Sequence, residues 1–368
     1  MKFVIFGLTV STSWGNGHAM LWRGLISALV EQGHRVVFFE KDLPFYAPHR
    51  DLTELPPGAE LILYPSWAEV LPRVSRELAG SEVGLVTSYC PDGVAASWRV
   101  LESSVPVRCF YDMDTPFTLE RAQLGKPVEY IPPEGLGYFD IVLSYTGGQA
   151  LRALSTMLGA RFVAPLYGSV DPGVHYPVPP RQHYQGELSY LGKYAANRQA
   201  ALDRLFLEPA RRLPHRRFVI GGAQYPADFA WTPNLYFVQH LLPVEHPAFY
   251  CSSRLTLNVT REPMAEMGYC PSGRLFEAAA CGVPVLTDNW KGLEAFFRVG
   301  EEILVARTAE DTLEALSRSP EELSRIGRAA RERALTEHTA ARRAEELVDL
   351  MDTTLTLSAE PESTSGRV

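Results

Sequence analysis

Residues 268–290 read GYCPSGRLFEAAACGVPVLTDNW. Ser272 is a good helix N-cap, the run Gly273 to Ala280 is rich in helix formers, and Gly282 followed by Pro284 supplies a stop, so a short helix with a sharp exit is expected. The apolar run Val283 to Thr287 then reads as a buried strand, with Asp288, Asn289 and Trp290 at its C-terminal end, where open α/β sheets take their ligands. A helix N-terminus and a strand end therefore flank one crevice. Gly273 lets backbone approach a guest closely, the first N–H groups of the helix point outward and Arg274 adds positive charge, a combination suited to phosphate. Glu277, one turn on, is placed to accept hydrogen bonds from ribose hydroxyls.

The segments around this stretch extend the α/β pattern. Upstream, RLTLNVTR (254–261) alternates inward and outward groups and ends with Asn258, Thr260 and Arg261 at the same edge. Before it lie a strand ending at Gly192, a helix starting near Arg198, the strands RRFVIGG and NLYFVQHL, and a helix over 244–252. Downstream, EEILVAR is the last strand and residues 308–351 read as helix. Asp171 to Glu187 carries Pro172, Pro177, Pro179 and Pro180, a density no helix or central strand tolerates, so it reads as an interdomain linker.

The first half repeats the theme. KFVIFGL (2–8) has the continuous apolar character of a central parallel strand; a loop ending Gly15-Asn16-Gly17-His18 leads into an amphipathic helix to Gln32, and HRVVFFE follows as a strand. Glu40 closes that strand at the distance expected of a ribose-binding acid in a dinucleotide fingerprint, but several residues separate the strand from the glycines and Met20 occupies the third glycine position, so a nicotinamide site is the weaker reading. Residues 41–57, rich in proline and aromatics, read as an ordered loop able to meet a second substrate. Strands are expected at 60–63, 83–87, 105–111 and 140–144, with helices over 68–78, 95–103 and 118–124, which makes a doubly wound parallel sheet. Asp112 and Asp114 lie at a strand end and read as catalytic or substrate-binding, Asp114 being the better candidate base; no partnering His, Cys or Glu is close in sequence to suggest a metal. Thr146-Gly147-Gly148 opens the last helix of this half.

Composition narrows the classes. The 368 residues suit two domains; 46% hydrophobic and 21% charged residues describe a globular chain, and a net charge of −8 argues against a nucleic-acid partner. No apolar run reaches the ~18 residues of a transmembrane helix. Cys90, Cys109, Cys251, Cys270 and Cys281 are scattered without CxxC spacing, pointing to reduced thiols and a cytoplasmic location.

Glu277, Ala278, Ala280, Gly282, Pro284 and Val285 match the glutamate and Ala-x-Ala-x-Gly-x-Pro-Val signature at the nucleotide-sugar site of GT-B glycosyltransferases, and PSGRLFEAAACGVPVLTDNWKGLEAFF most resembles the CgeB-like, spore-maturation branch. The resemblance implies two Rossmann-like doubly wound domains facing a central cleft: an acceptor domain over 1–170, the linker 171–187, a donor domain over 188–335, a helix over 336–357 crossing back to the first domain, and a disordered tail over 358–368. It also implies that Gly15, Asn16, Gly17 and His18 face the donor phosphates, with His18 a base or a ligand of the transferred sugar. Lys193 and Arg198 would bind the diphosphate, and His240 and Leu241 the base of the nucleotide. The expected activity is metal-independent transfer of a sugar from a nucleoside diphosphate sugar, without a cofactor, to an acceptor that is a small molecule, a glycan or a protein. A GT-B-like epimerase and a non-catalytic nucleotide-sugar binder are the alternatives. In the retaining members of the family a second glutamate stands eight positions before the first; here that position is Tyr269.

Overall fold

A computed structural model describes residues 1–359; the disordered tail expected over 358–368 lies outside the described residues from 360 onward. The first half contains β1 (Lys2–Gly7), α1 (His18–Glu31), β2 (Arg35–Lys41), β3 (Ala59–Tyr64), α2 (Trp67–Ala79), β4 (Val83–Thr87), α3 (Gly93–Leu101), β5 (Val107–Asp112), α4 (Thr115–Gln123), β6 (Ile141–Ser144), α5 (Gln149–Leu158) and β7 (Val163–Pro165). The second contains β8 (Gly186–Leu191), α6 (Ala196–Leu202) running through a π turn into α7 (Glu208–Arg212), β9 (Phe218–Gly222), β10 (Leu235–Gln239), α8 (His246–Cys251), β11 (Ser253–Asn258), α9 (Glu262–Met267), α10 (Gly273–Ala280), β12 (Val285–Asp288), β13 (Leu304–Ala306), α11 (Ala309–Ser317), α12 (Pro320–Glu337) and α13 (Ala340–Ala359). β7 and α9 were not anticipated: the first is three residues long and the second six, too short for a periodic signal.

Two all-parallel sheets result, one in the order β3-β2-β1-β4-β5-β6-β7 and one in the order β10-β9-β8-β11-β12-β13. The strand order reverses beside β1 and beside β8, and ligands of open α/β sheets bind outside the carboxyl ends of the strands at such switch points. Strands covered by helices on both faces must be apolar throughout, and Phe3, Val4, Ile5 and Phe6 of β1 are fully buried. The five cysteines are free thiols, all but Cys251 buried.

The halves are tied at two places. Ala340 N–H donates to the carbonyl of Val170 and Val170 N–H to that of His338, at 2.8 and 2.9 Å, so α13 starts beside the end of the first half and lies along α1. The second tie lies within residues 268–290, just ahead of α10. Gly147 N–H donates to the Tyr269 carbonyl (2.9 Å), the Thr146 hydroxyl to Cys270 Sγ (3.2 Å) and the Tyr145 hydroxyl to the Pro271 carbonyl (2.6 Å). The Tyr269 ring fills the space between Gly148 and Gly292, where a Cβ would lie 2.6 and 2.5 Å from ring carbons. Both glycines have positive φ (+60° and +87°), so an alanine there would be strained as well as clashing.

Candidate functional site

Between the two sheets lies a cleft with a cavity of about 510 Å³, a size typical of small-molecule sites. Fourteen of the fifteen residues singled out from the sequence line it; Asp112 does not. Asp112 is fully buried beneath the cleft, where one carboxylate oxygen accepts from the Asp114 N–H and the Thr118 hydroxyl and the other has no partner. Burial and the neighbouring Asp114 push its carboxyl up to about 7.

The wall from the second sheet is cationic. Lys193 and Arg198 follow β8, Arg261 follows β11, and Arg274 sits in the first turn of α10. Burial and the nearby Arg274 and Arg261 push the Arg198 guanidinium down to about 10, despite Tyr190 acting the other way. Burial lowers Lys193 and Arg261 too, each then held partly up by Asp114. These four cations share the cavity with two carboxylates, Asp114, which lies 3.8 Å from Arg261, and Glu277. The Nε atoms of Arg198 and Arg274 have no hydrogen-bond partner. Arg274 Nη1 is anchored on the Leu191 carbonyl at 3.0 Å, and the Arg261 guanidinium lies 3.8 Å over the Phe117 ring.

Ser272 occupies the N-cap position of α10 with extended backbone, but its side chain makes no capping bond, contrary to the role its residue type suggests. The first N–H groups of a helix have no internal acceptors. Here Ser272 leaves them open toward the cavity, together with the positive end of the helix. A Cβ on Gly273 would enter open space no closer than 3.7 Å to any neighbour, so glycine is wanted for access and not for packing.

Glu277, nine-tenths buried, accepts from the Tyr250 hydroxyl at 3.1 Å. His175 from the linker and His246 from α8 each bring a ring nitrogen to 4.0 Å from the same carboxylate oxygen. Burial keeps both imidazoles neutral, pushed down to about 4. Among the described residues, His175, His246 and Glu277 form the one group of three potential metal-ligand atoms lying within 4.8 Å of one another. None of the surroundings of Glu277 was legible beforehand, because Tyr250, His246 and His175 come from segments 27 to 102 positions away. His240 lies at the cavity edge in a left-handed conformation (φ +48°), held by its N–H on the Gly222 carbonyl, with buried Leu241 beside it.

The opposite wall comes from the first sheet. His18 begins α1 and Asp114 stands at the N-cap position of α4 without a side-chain capping bond, and their side chains meet at 2.7 Å, Nε2 to Oδ2. Burial alone would raise the Asp114 carboxyl, but His18, Arg261 and Lys193 outweigh it and hold it below the ordinary value. His18 Nδ1 has no partner, and the Asn16 side chain accepts from the His18 N–H at 2.8 Å. Gly15 has φ +62° and Gly17 has open space around it, so the loop can press backbone against a ligand.

Glu40 is buried at the base of this loop. Its carboxylate accepts from the Val10 N–H (2.7 Å), the Thr9 hydroxyl (2.8 Å) and the Ser11 N–H and hydroxyl, so it shapes the loop and is spent for ribose. Asp288 likewise turns inward, accepting from the N–H and hydroxyl of Thr260 at 2.9 Å, and neither it nor Asn289 nor Trp290 reaches the cavity. The strand end shapes the site through Thr260, which does line it. Tyr89, not anticipated from the sequence, also lines it.

A family model described as "Glycosyl transferase-like" matches residues 198–349. No curated protein matches the sequence. Among solved structures, a sucrose-phosphate synthase from Thermosynechococcus elongatus is similar with a TM-score of 0.73 at 14% identity, over 97% of this chain and 99% of that one. Anabaena HepE in complex with UDP-glucose is similar with a TM-score of 0.67 at 11% identity, over 96% of this chain and 100% of that one. An alpha-glucosyltransferase in complex with UDP and a 13-mer DNA gives 0.65 at 12% identity, over 96% and 99%. The two parallel-sheet domains thus have the GT-B architecture.

Proposed function

We propose that the chain is a glycosyltransferase that moves a sugar from a nucleoside diphosphate sugar to an acceptor hydroxyl. The observation that carries this reading is the split of the cleft: four basic side chains and an uncapped helix N-terminus on one wall, and the His18–Asp114 pair on the other. The second domain holds the donor, with Glu277 on the ribose, His240 and Leu241 beside the base, and Lys193, Arg198, Arg274 and the α10 N-terminus on the diphosphate. The first domain takes the acceptor.

In the transfer, the bond between the anomeric carbon and the diphosphate oxygen breaks, a bond to the acceptor oxygen forms, and the acceptor's proton passes to the His18–Asp114 pair. The departing diphosphate gains charge among cations that already repel one another, which stabilises the transition state more than the ground state. Those cations supply the positive charge that a divalent ion would otherwise bring, so we read the reaction as metal-independent. The complex of HepE with UDP-glucose makes a UDP-hexose the first donor to test. The α10 segment resembles the CgeB-like branch in wording, which supports that branch as our reading, and the free thiols suit the cytoplasm; no helix among the described residues is long and apolar enough to cross a membrane.

A thermal-shift screen against UDP, GDP, dTDP, ADP and NAD tests the donor site. A ligand at 100 times its dissociation constant adds ~2.7 kcal/mol, a readable shift. A selective rise with one nucleoside diphosphate, unchanged by EDTA, is expected; a response to NAD alone refutes the reading.

A further inference from the structure

The charge of the cavity is divided as sharply as its chemistry. Every lysine and arginine lining it belongs to the second half of the chain. The first half contributes, besides the glycine loop and the His18–Asp114 pair, an uncharged surface of Leu8, Met20, Leu21, Tyr46, Tyr89 and Met113. The basic residues nearby are engaged: Arg23 of α1 with Asp51, Arg50 with Asp42 and Lys41 of β2 with Asp92. The second-half cation that reaches this surface, Arg261, is itself engaged by Asp114 (Nη1 to Oδ1, 3.8 Å) and the Phe117 ring, so an anionic acceptor would have to compete with Asp114 for it.

Tyr89 stands out in this surface. It follows β4 with φ +60°, a conformation costly for a bulky aromatic residue. Its neighbours hold it there: Ser88 N–H donates to the Tyr111 carbonyl (3.0 Å), the Met113 N–H to the Ser88 hydroxyl (2.9 Å), and Cys90 N–H to the Thr87 carbonyl (3.3 Å). The strain turns the ring into the cleft, where it is 40% exposed, 5.0 Å from the Tyr130 ring and 6.3 Å from that of His18. An exposed aromatic face beside a proton-accepting pair suits a ring whose C–H face is apolar and whose edge carries a hydroxyl.

We propose that the acceptor is a neutral ring compound with a free hydroxyl, of which a pyranoside is the type, and that it stacks on Tyr89 with its hydroxyl at the His18–Asp114 pair. This rests on the donor reading above. It excludes phosphorylated sugars and nucleic acid as preferred acceptors.

The test uses the full chain saturated with UDP and follows saturation-transfer NMR of 4-nitrophenyl β-D-glucopyranoside, glucose 6-phosphate and a 13-mer DNA. The neutral glycoside is expected to bind at least tenfold more tightly than either anion, and Tyr89→Ala to weaken it at least tenfold. Tyr89→Gly, which accepts the left-handed backbone, separates folding from recognition: it should melt no lower than Tyr89→Ala yet bind the glycoside as poorly. UDP titration of each protein is the control. If UDP does not bind, the nucleoside diphosphate selected by the screen above takes its place, and failure of all of them overturns the donor reading and this inference with it. With UDP bound, preference for an anion, no binding by the glycoside, or undiminished binding in Tyr89→Gly overturns the acceptor assignment alone.

Discussion

Replacing Arg198 with methionine should make the empty protein more stable and the nucleotide site weaker. Burial, with Arg274 and Arg261 beside it, pushes the guanidinium down to about 10, more than two units below its ordinary value. At roughly 1.4 kcal/mol per tenfold change, its charged form is disfavoured by ~3 kcal/mol relative to water. Arg198 is not sealed from solvent, since it lines an open cleft, and water there screens part of this penalty. Allowing half for screening leaves ~1–2 kcal/mol to be recovered by an apolar side chain of similar length, within the range seen when buried charges are replaced. For domains of this size that is a rise in Tm of roughly 2–8 °C. The same change removes charge-assisted hydrogen bonds to the diphosphate worth ~1.5–3 kcal/mol, or roughly 10- to 150-fold in affinity. Scanning fluorimetry without ligand and calorimetry with UDP and uridine measure both effects. A lower Tm, or equal losses for UDP and uridine, would show that Arg198 serves packing and refute the argument that it awaits an anion.

Glu277→Gln keeps the shape of the ribose site but loses a charged acceptor; UDP affinity should fall by roughly 10- to 150-fold while 2′,3′-dideoxy-UDP, lacking both hydroxyls, binds the two proteins alike in calorimetry. Asp114→Asn should lower kcat at least ~100-fold with UDP affinity unchanged, because general acid–base assistance is typically worth 10²–10⁴ in rate. In pH dependence, His175, His246 and His338 are each pushed down to about 4, mainly by burial, so the unfolded chain takes up their protons first and stability falls as pH drops from about 6.5 toward 4. Asp112, raised to about 7, opposes this, since the folded state takes its proton first. Three losses of ~2 kcal/mol against one gain of ~3 leave a net loss of roughly 3 kcal/mol between pH 7 and 5, measurable by urea denaturation. A flat profile would contradict the burial of these imidazoles.

The sequence carried α10, β12 and both glycine-bearing loops because each depends on local chemistry: helix formers, a Gly-Pro stop, and apolar runs of strand length. It also brought His18 and Asp114 to the same cleft although 96 positions separate them, since strand ends in one doubly wound sheet converge. What it did not carry is the direction of a side chain. Asp112 and Asp114 stand two residues apart at one strand end, yet the Asp112 side chain is buried beneath the cleft while Asp114 lines it. Ser272 had the composition of a cap, but capping is a matter of rotamer. Tyr89 announced nothing, because a left-handed backbone imposed by Ser88 and Cys90 leaves no trace in residue type.

Tyr269 takes on a different meaning once its ring is seen gripped by Gly148 and Gly292. A flat side chain between two surfaces without Cβ atoms sets their spacing, since a Cβ on either glycine would meet the ring at about 2.5 Å and force the two halves apart. The segment leading into α10 is moored to the first half by three hydrogen bonds in successive residues, so the N-terminus of α10 is registered against His18 by the protein alone. Much of the order that a donor would otherwise have to impose on arrival is therefore already present, and binding energy is left for the reacting centre.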